Sequence, residues 1–323
     1  MRVLVAGCSG YLGTEVCKEL LKKGADIIGV DIVPSSLDIE FAKVNIASKS
    51  SSHKLKKYKP DVICNCAALV PLTRASYKEM MLVNALGAMN LARVHPWKLV
   101  HISSSAVYGA PKELIKDDTP LSPIETYGKS KAMAEMILRS FIDINIVIIR
   151  PRTIIGESRI GVFDILFNRA LYNRPIYIIG NGNNRFQLLS LEDCVDFIIR
   201  AIYDIRAIGS YNIGTDKYST LRADLQEFLN RARSKSRIVS IPKSSKLLLK
   251  ILDKLGLISL TPWHYMTIDA NFHFDISRAK KLGWTPNHSN VDMLLSAYLS
   301  YVKQIEGRSI QARKLSRRWL AWF

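Results

Sequence analysis

Thirteen residues at the N-terminus, Met1-Arg-Val-Leu-Val-Ala-Gly-Cys-Ser-Gly-Tyr-Leu-Gly13, leave the chain few ways to begin folding. A short apolar run feeds three spaced glycines and then an amphipathic segment, the order of strand, tight turn and helix. Glycine serves such a turn twice. It accepts positive φ, and its missing side chain lets a pyrophosphate reach the backbone N–H groups at a helix N-terminus. The spacing Gly7-x-x-Gly10-x-x-Gly13 differs from the G-x-G-x-x-G of the common dinucleotide fingerprint. Alone, the triplet fits a purely structural turn as well as a phosphate cradle, so the residues downstream of it decide.

Residues 12–23 place Leu12, Val16, Leu20 and Leu21 on one stripe, which predicts an amphipathic helix ended by Gly24. Asp26-Ile-Ile-Gly-Val-Asp31 then reads as a buried parallel strand closing on an acid. A carboxylate there accepts hydrogen bonds from ribose hydroxyls and repels a 2′-phosphate, so Asp31 favours NAD over NADP. Alternation continues through strands at 41–46, 61–65, 98–103 and 145–149 and helices at 77–93 and 126–141. Repeated βα units imply an α/β fold, a doubly wound parallel sheet whose ligands sit at the carboxyl ends of the strands. Those ends are Gly7, Asp31, Ala67-Ala68, Ser103-Ser104-Ser105 and Arg150-Pro151. Beyond about residue 168, shorter elements punctuated by Pro175, Gly180, Gly182, Gly209, Gly214 and Pro242 suggest a smaller C-terminal lobe closing over that edge.

The chain has no apolar run of the roughly 18 residues a membrane-spanning helix needs, and its first apolar run ends in glycines, unlike a signal peptide. A cytoplasmic protein is expected. Cys8, Cys17, Cys64, Cys66 and Cys194 form an odd set without C-x-x-C spacing, which predicts reduced, buried thiols. His101 lies in a strand as a satisfied core residue, and no metal site is assigned. A net charge of +18 suits anionic ligands, but only +4 of it falls in residues 306–323. Charge spread in this way does not indicate nucleic acid.

Tyr127-Gly-Lys-Ser-Lys131 carries the chemistry, because residues four apart share a helix face. A free tyrosine has a pKa of about 10. An adjacent ammonium and an oxidised nicotinamide both favour the phenolate and turn Tyr127 into a usable acid/base. Tyr-x-x-x-Lys is also common on solvated helices, where it has no function.

With the glycine turn, Asp31, Ser103-Ser-Ser-Ala-Val-Tyr-Gly109 and Tyr127-x-x-x-Lys131 in this order, the chain resembles the extended short-chain dehydrogenases, the NAD-dependent epimerase/dehydratase family. The resemblance covers nearly the whole length. It includes Asn65-Cys-Ala-Ala68, Asn84, Arg150-Pro151, Tyr211-Asn-Ile-Gly214 and Asp275-Ile-Ser-Arg-Ala-Lys-Lys-Leu-Gly-Trp284. It implies a Rossmann NAD-binding domain over 1–167 and a substrate-binding lobe over 168–323, with part of 187–216 returning to the first domain. The cofactor would lie against Gly7, Gly10, Tyr11, Leu12, Gly13, Asp31, Asn45, Ile46, Ala67, Ala68, Asn84, Tyr127 and Lys131. The family usually has an acid where Asn45 stands. Ser104 would hydrogen-bond the reacting hydroxyl, Tyr127 would move its proton, and Lys131 would bind the nicotinamide ribose and depress the tyrosine pKa.

The family's 4,6-dehydratases carry an Asp-Glu pair where this chain has Ser105 and Ala106, and its decarboxylases also keep the Glu. Without that carboxylate, epimerisation through a transient ketone or plain dehydrogenation or reduction remains. Ser104, Ser105 and Arg185 would contact substrate, and Arg185 stands where sugar-nucleotide members present a guanidinium to a diphosphate. These residues imply an NAD-dependent, epimerase-like enzyme acting on a nucleotide sugar, with a homodimer as one expected assembly. Two other readings stay open: a dehydrogenase of lipophilic, 3β-hydroxysteroid-like alcohols, suggested by the apolar stretch 244–260, and a non-catalytic NAD-binding scaffold. That apolar stretch also fits a lid helix. The basic, aromatic segment 313–323 fits weak membrane-surface contact, a frayed tail or a helix docked by Trp319 and Trp322.

Overall fold

A computed structural model of the protein describes residues 1–71, 75–111, 113–156, 163–247, 250 and 267–320, and side chains up to Gly307. Seven parallel strands form the main sheet: β1 (Arg2–Ala6), β2 (Asp26–Asp31), β3 (Glu40–Lys43), β4 (Val62–Asn65), β5 (Lys98–Ile102), β6 (Asn145–Pro151) and β10 (Gly209–Ile213). Their order across the sheet is β10-β6-β5-β4-β1-β2-β3. The chain winds outward from β1 to β3, then returns to β4 and winds the other way. The switch point therefore lies between β1 and β4, where an open α/β sheet splays a crevice for its ligand.

The strands are apolar nearly throughout because both faces are covered. One face buries Val3, Val5, Val62, Cys64, Val100 and Val147 against α1 (Tyr11–Lys22) and α7 (Leu191–Tyr203). The other buries Leu4, Ile28, Ile63, Leu99 and Ile148 against α5 (Thr126–Leu138) and a long helical segment. That segment comprises α3 (Tyr77–Met80), a π-helical stretch at Met81–Leu86 and α4 (Gly87–Ala92). Ser76 and Glu79 form a reciprocal capping box that starts it.

In α1 the buried residues are Gly13, Val16, Cys17 and Leu20. Leu21, expected on the inward stripe, is exposed, because the sheet faces the positions three and four apart from Gly13. β3 ends at Lys43, short of the expected Ile46, because the Asn45 side chain accepts from Ala47 N at 2.9 Å and turns the chain. All five cysteines are free, and only Cys66 is not fully buried.

The remaining elements build a third core beside the sheet's carboxyl edge. They are β7 (Thr153–Ile155), α6 (Phe163–Leu171), β8 (Ile176–Ile179), β9 (Leu188–Ser190), α8 (Leu221–Arg231), β11 (Ile238–Ile241) and α10 (Asn290–Leu320), whereas α9 (Ser277–Lys281) buries Ala279 in the core that holds α1 and α7. Phe167 sits at the centre of that core, with rings of Phe228, Tyr298 and Tyr301 within 6 Å. Trp284 is buried edge-on against Phe197 and donates its Nε1–H to Asp193 O at 3.1 Å, locking the 275–284 motif onto α7. Among the described residues no helix is long and apolar enough to cross a membrane. Most of the apolar stretch 244–260 lies outside the described residues, as do residues 321–323 and the side chains of 313–320.

Candidate active site

The glycine turn opens directly onto the switch point. Gly7 has φ +79°, and a Cβ there would lie 2.6 Å from Ala67 N. At Gly13 a Cβ would fall 2.0 Å from Gly7 O, so two backbones touch where side chains would otherwise stand. Gly10 is the N-cap of α1, with no side-chain cap and no acid in the first turn. These first N–H groups therefore face the crevice without a protein anion, which suits a pyrophosphate. Tyr11 reaches across toward Gly156, while Leu12 packs against the core beneath.

Asp31, at the end of β2, is fixed by three backbone donors: Ser9 N at 3.1 Å, Ile32 N at 2.7 Å and Val33 N at 3.3 Å. The first of these ties the carboxylate to the glycine turn itself. A neighbouring turn holds Asn45 exposed and Ile46 buried, the Ile46 carbonyl accepting from Ser51 Oγ and Asn90 Nδ2. The Ile46 side chain belongs to the core, so only its backbone faces this region.

Ala67 and Ala68 are half-buried beyond β4, with Ala67 N donating to Asn65 Oδ1 at 3.2 Å. Asn84, in the π-helical stretch, is fully engaged with protein. Its Oδ1 accepts from Leu69 N, and its Nδ2 donates to Leu69 O and Ser130 Oγ, all within 3.0 Å. Ser130 Oγ in turn donates to Tyr127 O at 2.7 Å. Asn84 thus braces the 67–69 loop against the first turn of α5, rather than presenting free donors.

The hydroxyl residues converge at the carboxyl end of β5. Ser104 is extended and caps a 3-10 turn over Ser105–Tyr108, its Oγ accepting from Ala106 N at 3.2 Å. Gly128 approaches that turn so closely that a Cβ would lie 2.5 Å from Ala106 O. This contact sets the start of α5, and so Tyr127, against the serine turn. Glu125 caps α5, accepting from Tyr127 N at 2.7 Å and Gly128 N at 2.6 Å. Ser104 and Tyr127 are both half-buried, whereas Ser105 is buried.

Lys131 lies one turn further along α5, buried, with Nζ donating to Ile102 O at 2.8 Å and standing 6.0 Å from the Tyr127 ring centre. Burial lowers its pKa to about 8, with Cys66 and Glu135 acting in the opposite direction. One turn beyond, Glu135 receives Arg150 Nε and Nη2 at 2.9 and 2.6 Å and Ser103 Oγ at 2.6 Å. This buried pair, which motif reading passed over, ties α5, β5 and β6 together behind the hydroxyls. Its spacing held the signal: Tyr127, Lys131 and Glu135 are successive residues four apart.

His101 is less satisfied than expected. Asn65 Nδ2 donates to its Nδ1 at 3.0 Å, but Nε2 is buried without a partner. Burial and then the Lys131 charge hold its pKa well below the usual histidine value, so it is neutral. Arg185 is exposed on the far side of the edge. It lines a cavity of about 320 Å³ with Gln187, Asp216, Tyr218, Thr220 and Phe274.

An uncapped helix N-terminus behind a glycine turn, an acid at the next strand end and a Ser-Tyr-Lys set beside the switch point define a dinucleotide-binding oxidoreductase of the short-chain kind. Comparison with known proteins makes the class specific. The model of the NAD dependent epimerase/dehydratase family matches residues 3–214. The chain is 34% identical to an uncharacterised protein of Sinorhizobium fredii over 92% of its own length and 78% of that protein's. It is 28% identical to a UDP-glucose 4-epimerase of Mycolicibacterium smegmatis, covering 69% of this chain and 80% of the relative. A UDP-glucose 4-epimerase of Thermotoga maritima, solved with UDP-glucose, superposes with TM-score 0.74 at 20% identity, over 94% of this chain and all of the other. The Bordetella bronchiseptica enzyme WbmG in complex with NAD gives TM-score 0.74 at 18% identity and 94% of each chain. The protein belongs to the NAD dependent epimerase/dehydratase family, and NAD is its cofactor.

Proposed function

We propose that the protein is an NAD-dependent epimerase of a nucleotide-activated sugar. The observation that carries this reading is the contact of Gly128 with Ala106 O, which sets Tyr127 against Ser104 while Ser105 and Ala106 supply no carboxylate. Gly7, Gly10 and Gly13 leave room for the pyrophosphate at the N-terminus of α1, and Asp31 accepts from the adenosine ribose. Bound NAD supplies a hydride acceptor that later returns the hydride.

Within the chain, Ser104 Oγ orients the reacting sugar hydroxyl. The Tyr127 phenolate takes its proton as the carbon–hydrogen bond is broken, giving a ketone, and returns it after the sugar has presented its other face. Lys131, charged below about pH 8, stabilises the phenolate. A neighbouring acid, which elimination would need, is missing from the 105–106 positions. Arg185, at the mouth of its cavity, pairs with the diphosphate. Two relatives named as UDP-glucose 4-epimerases support inversion at C4 of the sugar.

Tyr127→Phe tests the reading. The variant keeps its fold and binds NAD, while epimerisation of a UDP-hexose falls by about 10²-fold or more. Undiminished turnover would remove Tyr127 from the chemistry.

A further inference from the structure

Four lysine or arginine cations are buried among the described residues, and in three the charged tip is hydrogen-bonded. Arg150 pairs with Glu135, Lys98 Nζ donates to the carbonyls of Ala201 and Asp204, and Lys131 Nζ to that of Ile102. Arg152 is the exception. It is 1% exposed, and only its Nε is bonded, to Gln187 O at 3.0 Å; Nη1 and Nη2 have no partner. Its guanidinium carbon lies 4.1 Å from the Phe272 ring centre, 5.2 Å from Phe186 and 5.7 Å from Phe274. The rings offset part of the desolvation cost, but no carboxylate compensates the charge, and burial alone lowers its pKa to about 9. Holding an unpaired charge in this way disfavours folding and is rational where a ligand completes the pair.

Its place in the fold says which part of a ligand it meets. Arg152 immediately follows β6 and donates its backbone N–H to Ile213 O at 2.9 Å. β5 and β6 pair Ile102 with Ile149, and Ser103 N donates to Ile149 O, so the Ser103–Ser105 turn runs beside Arg150–Arg152. Gln187 and Phe274, against which the guanidinium rests, also line the Arg185 cavity. Arg152 thus stands between the serine turn and the cavity assigned to the diphosphate. In a nucleotide sugar the group spanning those two points is the sugar itself. Two parallel N–H donors at the tip of a planar guanidinium match one ligand group best, a carboxylate held by both its oxygens.

We propose that Arg152 recognises a carboxylate on the sugar and that the substrate is a nucleotide-activated uronic acid. The inference rests on the nucleotide-sugar reading and narrows it. UDP-glucose and UDP-glucuronate differ only at C6, and UDP alone lacks the sugar, so the three ligands separate the contributions.

The experiment is calorimetric titration of the NAD-bound enzyme and its Arg152→Met and Arg152→Lys variants with each of the three. The wild type binds UDP-glucuronate more tightly than UDP-glucose. Arg152→Met weakens UDP-glucuronate by about 10- to 100-fold, the size of a hydrogen-bonded charge contact, and leaves UDP within about twofold. Arg152→Lys recovers part of the loss. A second readout does not depend on turnover: without sugar nucleotide, Arg152→Met melts at or above the wild-type temperature, because an uncompensated buried charge has gone. A structural arginine would give the opposite shift. Equal wild-type affinity for the two sugars overturns the proposal. An equal loss of UDP affinity in Arg152→Met also overturns it, assigning the arginine to the diphosphate. Failure of the wild type to bind even UDP instead removes the nucleotide-sugar reading on which the proposal stands.

Discussion

Replacing Glu135 by Ala should destabilise the framework behind the Ser104 and Tyr127 hydroxyls more than any surface change. The Glu135 side chain is fully buried and takes two bonds from Arg150, one from Ser103 and a longer one from the half-exposed Arg139 at 3.4 Å. Removing it leaves Arg150, itself 2% exposed, with Nη1 still bonded to Tyr108 and Asp117 O but with its charge unpaired. Breaking a buried ion pair from one side costs about 3–5 kcal/mol. Spread over a urea slope of a few kcal/mol per M, that lowers the denaturation midpoint by roughly 1–2 M. The double variant Glu135→Ala/Arg150→Met removes both charges and should regain much of the loss. Chemical denaturation of the three proteins with NAD present reads both effects. A single variant within about 1 kcal/mol of wild type, or a double variant no better than the single, would refute the reasoning.

The same geometry sets two further outcomes. Asp31→Ala should weaken NAD by about 10- to 100-fold while NADP affinity holds or improves, measured by titrating the apoenzyme with each. Lys131 titrates at about pH 8 in the folded protein against 10.5 in the unfolded chain, so folding disfavours its charged form. Stability from this group is therefore lowest below pH 8 and rises by about 1.4 kcal/mol per pH unit between the two values. In the proposed mechanism, where the ammonium stabilises the phenolate, activity declines above pH 8. Lys131→Met should flatten the stability rise, and denaturation midpoints across that window check it.

The parts of the site legible in the sequence were those fixed by local geometry. Gly10 and Gly13 are dictated by their approach to Gly7 O within the turn, and Tyr127 and Lys131 by helix spacing; both patterns are short-range, whereas the space at Gly7 is closed by Ala67 from the end of β4. Asn84 could be placed but not understood, because its partners are Leu69, in a loop 15 residues away, and Ser130, in α5 46 residues away. Arg150 stands in a recognisable motif, yet its partner Glu135 lies on α5, packed against the sheet, and resembles any helical surface acid in sequence. Arg152 was invisible for the same reason, since only the packed fold reveals that nothing answers its charge. Leu21 failed as a core residue because a 3.6-residue period leaves two candidate stripes, and the sheet selects between them.

The proposed epimerisation returns the hydride to the sugar carbon it left, and isotope retention measures that return directly. Purified NAD-bound enzyme is given UDP-glucose and UDP-glucuronate carrying deuterium at C4, in ordinary water, and the epimer is analysed by mass spectrometry. An epimer with its deuterium retained and no net consumption of NAD is expected. Loss of the label to solvent, or stoichiometric formation of a ketone without an epimer, would contradict it.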